Sequence, residues 1–218
     1  MSPPRWACFH CRKFLEALPL EMPMNYLTGR AWLKDYALYM LDVPRLHIPE
    51  SVDYIGRRAN SYNGLLQYLT FAENCQVEEI CDYAFYQCVN LLELTLPENL
   101  LKVGTGAFDY CKSLETLVLN DSLVYISSNA FAHWESLTEV SIPGSVCHIG
   151  GGAFNSPVSP FLVHFRVTDG WNRYYGNDSS RPDEEQNYEP VDIETIANPS
   201  SMGNVLRLRD YTYFRLGK

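Results

Sequence analysis

No stretch of this 218-residue chain stays apolar for long enough to cross a bilayer, which takes about 20 predominantly apolar residues in a helix. Residues 1–20 contain Arg5, His10, Arg12, Lys13 and Glu16 without an apolar run of secretory length, so a cytoplasmic setting is expected. Positive charge is scarce: Lys and Arg number 17 against 26 Asp and Glu, for a net charge of −9. Residues 46–168 concentrate the deficit at −8, while residues 1–45 carry +2 and residues 169–218 carry −3. Such a surface repels phosphate backbones and anionic headgroups, so neither nucleic acid nor membrane is expected as a partner. A basic protein patch or a neutral glycan fits better. The 7 cysteines are an odd number, which excludes a fully paired disulfide framework within one chain. The chain also lacks H-E-x-x-H, G-x-S-x-G and calcium-loop patterns. Gly104, Gly106 and Gly150 to Gly152 lack the lysine or helix context of a phosphate loop. No enzyme activity and no cofactor is expected.

What the chain does contain is repetition. Ala84-Phe85, Ala107-Phe108, Ala130-Phe131 and Ala153-Phe154 recur every 23 positions. Ile80, Val103, Ile126 and Ile149 keep the same step, as do Val77, Leu100, Leu123 and Val146. A fixed period in the twenties marks a solenoid. Each repeat opens on an alternating strand, Leu94-Thr95-Leu96, Leu117-Val118-Leu119, Val140-Ser141-Ile142 and Val163-His164-Phe165, whose outer pair points inward and middle residue outward. Leu46-His47-Ile48 through Ala59-Asn60 fits the template with Asn60 in the Phe position, and Leu69-Thr70-Phe71 supplies another strand. A lone repeat cannot bury its own apolar face, so neighbours must stack.

Three phrases carry a resemblance: Ile149-Gly150-Gly151-Gly152-Ala153-Phe154, Leu96-Pro97-Glu98, and Phe108-Asp109-Tyr110-Cys111-Lys112-Ser113-Leu114-Glu115. They resemble the BspA-type leucine-rich repeat family across residues 45–168. The resemblance implies a right-handed solenoid with a sheet on one side and short helical turns on the other. It also implies adhesion or host contact at a cell surface, as an alternative to the cytoplasmic setting, and it brings no catalytic residues. The expected fold is therefore α/β: a right-handed leucine-rich repeat solenoid with a parallel sheet of about six rungs, an N-terminal helical cap and a C-terminal cap.

The flanks differ from the repeats, giving segments 1–44, 45–168 and 169–218. Thr28 is placed to cap a helix over Ala31 to Leu41, with Trp32, Leu33, Tyr36, Ala37 and Met40 on one face and Pro44 as its stop. Ala7 to Leu18 reads as a second short helix. It contains Cys8-Phe9-His10-Cys11, a lone C-x-x-C, whereas tetrahedral zinc takes four ligands. A weak metal half-site at Cys8 and Cys11, completed by a partner chain or by Cys75 or Cys81, stands beside the plainer reading of ordinary cap residues. After an acidic loop at Asn177 to Glu185, Val205 to Arg209 and Tyr211 to Leu216 read as two strands or one bent strand. They serve either as a cap or as an aromatic contact arm.

Alternation places the candidate ligand-binding face. One outward column is Arg45, Tyr68, Glu93, Thr116, Glu139 and Leu162; the other is His47, Thr70, Thr95, Val118, Ser141 and His164, with Arg166 beyond. The open sheet face of a solenoid is its usual recognition surface, so a protein partner is expected there, with a glycan as the alternative. Cys88 and Cys111 share one repeat position and read as small buried fillers. Cys147 beside His148 suggests a nucleophile and base, yet neighbours on a strand point apart.

Overall fold

The computed structural model describes residues 24–25, 30–155, 161–175, 189–192 and 211–215. It is a β-solenoid with two parallel ladders. The first runs through β3 (Arg45–Ile48), β5 (Tyr68–Phe71), β7 (Glu93–Thr95) and β9 (Thr116–Val118), followed by the pair β11 (Glu139–Ile142) and β13 (Leu162–Phe165). The second is built from β2 (Arg30–Leu33), β4 (Val52–Ile55), β6 (Glu79–Ile80), β8 (Lys102–Val103), β10 (Tyr125–Ile126) and β12 (His148–Ile149). Each turn of the chain thus contributes one strand to either ladder. The period of the sequence becomes the register of the sheets: Glu93 pairs with Thr116, and Tyr125 lies between Lys102 and His148.

The core fills the space between the ladders. Leu46, Leu69, Leu94, Leu117, Val140 and Val163 point into it from the first, and Ile55, Ile80, Val103, Ile126 and Ile149 from the second. The Ala-Phe phrase supplies the third wall. Phe85, Phe108, Phe131 and Phe154 stack nearly parallel, with ring centroids 5.2, 5.5 and 5.7 Å apart. Identical side chains at identical heights on successive rungs must meet one another, which is why the ladder follows from the period.

Two corrections to the sequence reading come from the turns. Among the described residues there is no helix, so neither the α/β class nor the short helical turns hold. Each turn is instead broken by residues in the left-handed region, at Tyr36, Arg58, Tyr83, Gly106, Asn129 and Gly152 in one column. A second column, four residues on, holds Met40, Tyr62, Gln87, Tyr110 and His133. Such φ values cost a non-glycine residue about 1 kcal/mol or more. They are held because they turn alternate N–H groups toward the next rung: Phe85 to Ala107 O, Phe108 to Ala130 O and Phe131 to Ala153 O, at 2.8 to 2.9 Å.

The N-terminal helical cap over Ala31 to Leu41 is the second correction. Leu33 is buried, but Trp32, Tyr36, Ala37 and Met40, the rest of its supposed apolar face, are exposed. Tyr36 and Met40 have φ of 59° and 57°, which an α-helix excludes, and the Leu38 N–H donates to Ala59 O at 2.6 Å across to the next rung. The segment is another turn of the solenoid. β1 (Met24–Asn25) pairs antiparallel with its strand β2. The Ala7 to Leu18 helix, Thr28, the acidic loop and the Val205 to Arg209 strand lie outside the described residues.

At the far end the second ladder continues antiparallel. β16 (Tyr211–Arg215) pairs with β12 and also with β14 (Trp171–Tyr175), which in turn pairs with β15 (Glu189–Pro190). Tyr213 and Trp171 are buried there, and the Arg215 guanidinium lies 5.3 Å from the Trp171 ring while donating to the Gly144 and Val146 carbonyls.

Candidate functional site

The first ladder turns its alternate residues to solvent, as its burial pattern shows: exposed, buried, exposed, buried along β3 and β11. Arg45, Tyr68, Glu93, Thr116, Glu139 and Leu162 stand in one outward column, with His47, Thr70, Thr95, Val118, Ser141 and His164 in the other, and all are exposed. The columns are in register by strand pairing, except that β9 and β11 belong to separate sheets. Neighbouring rungs interact along the face. Arg45 lies 5.2 Å from the Tyr68 ring centroid, His47 Nδ1 is 2.9 Å from Thr70 Oγ1, and His164 Nε2 is 3.7 Å from a Glu139 carboxylate oxygen. Arg166 pairs with Asp121, off the columns.

A groove of about 630 Å³ crosses this face at β5 and β7. Tyr68, Thr70, Glu93 and Thr95 form part of its lining, and the residues that follow the two strands add Glu73 and Glu98. Three carboxylates and no basic side chain therefore face one concavity. The candidate residues that alternation supplies account for four of the lining positions, and Glu73 and Glu98 escape it because they follow the strands and belong to neither outward column.

Two other surfaces carry no clear signal in the sequence. The second ladder has its own outward column, Tyr54, Glu79, Lys102, Tyr125 and His148. Lys102 bridges Glu79 at 2.9 Å, and the Tyr125 and His148 rings stack at 3.8 Å. The available signal is the residue before each of Ile80, Val103, Ile126 and Ile149, positions that read as single buried hydrophobes and not as two-residue strands. The second surface is an aromatic column along the turn corner: Tyr39, Tyr62, Tyr86 and Tyr110 meet edge to face at 5.4 to 5.8 Å, and Tyr110 stacks on His133 at 4.2 Å. These rings are half-buried, and Arg58 lies 4.8 Å from the centroid of the adjoining Tyr83.

Among the described cysteines, Cys75, Cys88 and Cys111 sit in the core while Cys81 and Cys147 are half-buried. Cys88 and Cys111 are buried, and their thiols donate to the carbonyls of Asn60 and Phe85 on preceding rungs at 3.4 and 3.6 Å. Burial pushes the Cys88 thiol up to about 12 and Cys111 well above the ordinary range, which removes the thiolate on which reactivity depends. The Cys147–His148 pair shows no catalytic arrangement: the His148 ring is stacked on Tyr125 and the Cys147 carbonyl accepts the Arg215 N–H. Among the described residues no group of three or more His, Cys, Asp or Glu is placed to hold a metal ion, and Cys8 and Cys11 lie outside them.

A stack of strand-and-turn repeats of this length, with outward columns over a leucine-rich core, defines a leucine-rich repeat protein. The chain belongs to the BspA type leucine-rich repeat family, whose repeat is matched in 6 copies over residues 32–159. The matched range takes in the segment whose apolar stripe suggests a helix. Among solved structures, the chain is similar to a leucine-rich repeat protein of T. pallidum, with a TM-score of 0.56 and 26% identity over 62% of this chain and 63% of that one. It is also similar to the pneumococcal vaccine antigen PcpA, with a TM-score of 0.51 and 28% identity over 59% of this chain and 32% of that one. The chain therefore spans less than two thirds of the length of either. None of the curated proteins matches it.

Proposed function

We propose that the chain is a non-catalytic interaction module that engages a basic segment of a protein partner through the outward face of the first ladder. The observation that carries this reading is the groove over β5 and β7, where Glu73, Glu93 and Glu98 line one concavity with Tyr68 and no basic side chain enters the lining; Arg45, 5.2 Å from the Tyr68 ring, stands outside it. Like charges brought together on a rigid scaffold raise the local potential and select a cation of extended shape. Tyr68 adds a broad ring that needs little ordering to make contact. Arg45, His47, His164 and Arg166, toward the two ends of the face, bound the acidic middle.

The test is a peptide-display selection on the purified protein, followed by affinity measurement of enriched sequences against a triple variant, Tyr68→Ala with Glu93→Lys and Glu139→Lys. Enriched peptides are expected to be rich in Lys and Arg, and the variant is expected to lose about tenfold or more in affinity while its circular dichroism melt is unchanged. Enrichment without basic residues, or equal binding by the variant, refutes the reading. The similarity to a protein described as a vaccine antigen supports a second setting, in which the same face meets a host protein or glycan from a cell surface. Protease shaving of intact source cells distinguishes that setting from a cytoplasmic one.

A further inference from the structure

The first two rungs of the second ladder carry a feature found on neither column of the proposed face. Trp32 on β2 and Tyr54 on β4 are register partners, and both are exposed, at 40% and 38%. Their pairing follows a register shift: Ala31 lies opposite Val52, but Trp32 lies opposite Tyr54, so Asp53 is the extra residue of a bulge. Bulges are uncommon between parallel strands and re-aim the side chains beside them. Here the result is two exposed aromatic residues at paired positions of adjacent strands, with Asp53 inserted before Tyr54. Together with Lys34 and Asp35 they line a concavity of about 740 Å³, within the ordinary size of a small-molecule site.

The surroundings are built to stay in place. The neighbouring Cys81 thiol, with burial, raises the Tyr54 phenol's pKa, so its hydroxyl remains neutral. One Asp35 oxygen accepts the Arg57 N–H at 2.8 Å. Gly56 packs so closely that an added Cβ would lie 2.6 Å from the Asp35 amide nitrogen and from its carboxylate oxygen. The charges then decide the ligand class. Asp35 and Asp53 oppose an anion, and the Lys34 ammonium opposes a cation. What fits is an uncharged molecule with flat apolar faces to lie on the rings and hydroxyls to meet both carboxylate acceptors and an ammonium donor.

We propose that Trp32 and Tyr54 form a stacking platform for a neutral oligosaccharide, with Lys34, Asp35 and Asp53 bonding its hydroxyls. This site shares no residue with the first-ladder face and does not depend on it. Two rings on adjacent strands make a platform open on one side, suited to one face of a sugar ring and not to enclosing a cationic headgroup.

The test uses the full chain and neutral hexasaccharides of glucose, N-acetylglucosamine, mannose and galactose, titrated while tryptophan fluorescence is followed. Trp134 and Trp171 are buried, so among the described residues Trp32 is the tryptophan that a bound sugar reaches. At least one hexasaccharide is expected to shift the emission and to bind by calorimetry. Trp32→Ala and Tyr54→Ala are expected to weaken that binding about tenfold or more, and Trp32→Phe less. The Tyr68, Glu93 and Glu139 triple variant is expected to bind as the wild type does, which separates this site from the first-ladder face. Absence of binding by every hexasaccharide, undiminished binding by Trp32→Ala, or tighter binding of tetramethylammonium than of any sugar overturns the proposal.

Discussion

Phe108→Ala tests whether the aromatic ladder is the mechanical spine of the solenoid. Phe108 is 1% exposed and lies between Phe85 and Phe131, at 5.2 and 5.5 Å with ring planes within 4° of parallel. Truncating a buried Phe to Ala costs about 3–5 kcal/mol, and the upper part of that range applies where neighbours cannot collapse into the gap. Phe85 and Phe131 cannot, because each is fixed by its own backbone bond to the following rung. A loss of that size is a large share of the roughly 5–15 kcal/mol that stabilises a typical domain. The location adds a second effect. Each rung of a solenoid touches only its neighbours, so a break in the middle uncouples the two ends. Guanidinium unfolding is therefore expected to shift to lower denaturant and to split, with the fluorescence of buried Trp134 no longer coinciding with the circular dichroism transition. Tyr110→Ala, on the same rung but half-buried at the turn corner, is expected to cost no more than about 1 kcal/mol, and its transition is expected to stay single. If Phe108→Ala costs no more than Tyr110→Ala, the ladder is not the spine and the argument from stacking fails.

Two further predictions concern the turns and the core thiols. Gly106 has φ of +58°, and an added Cβ would stand 2.7 Å from the Tyr83 ring, so Gly106→Ala is expected to lower stability by about 1–2 kcal/mol. At Gly64, which has nothing within 4 Å, Ala is expected to be neutral or stabilising by less than about 1 kcal/mol; equal midpoints for the two variants in thermal melts would refute the strain argument. The raised thiol pKa values of Cys88 and Cys111 predict a pH dependence. The unfolded chain releases these protons near the ordinary thiol value of about 8.5 while the folded chain keeps them, so their contribution is complete below that pH and is lost as pH rises toward the folded values. Urea midpoints measured from about pH 7 to 10 are expected to fall above about pH 8.5, and Cys88→Ala is expected to flatten the fall while lowering the neutral-pH midpoint. An equal slope in the variant would show that the thiol is not responsible.

Much of this fold is legible in the sequence because stacking makes one physical demand at every rung. A side chain at a given height must meet its counterpart one turn away, and the apolar columns at Leu94, Val103 and Phe108 repeat for that reason. The parts that resist reading are those where two patterns share the same residues. Trp32, Leu33, Tyr36, Ala37 and Met40 satisfy a helical stripe, yet Ala37 and Leu38 are also the first copy of the Ala-Phe phrase, 22 positions before Ala59 and Asn60. Local periodicity favours the helix; the gain from closing a rung against its neighbour overrides it. The left-handed positions are hidden for a related reason. Gly106, Gly152 and Asn129 fit that column, but Tyr36, Arg58 and Tyr83 occupy it with residues that seldom adopt positive φ. Only the bonds to the next rung make the conformation worthwhile, and those bonds are tertiary.

The outward columns stand on the opposite footing, since the core places no demand on them. Glu93 and Thr116 sit at equivalent heights with different chemistry, and so do Tyr54 and Glu79 on the other ladder. Alternation fixes where such residues point while leaving their identity open to whatever they contact. That is why period-2 patterning is enough to mark the first-ladder face as exposed but not to reveal its groove: Glu73 and Glu98 enter the concavity from the bends after the strands. It is also why the second ladder leaves so faint a trace, because its two-residue strands are too short to show alternation. Both proposed binding sites accordingly lie where the repeat is least regular. The bulge at Asp53 and the acidic bends beside Tyr68 are two such departures, on separate faces, and substitution at either is expected to act on the proposed binding without disturbing the stacked core beneath.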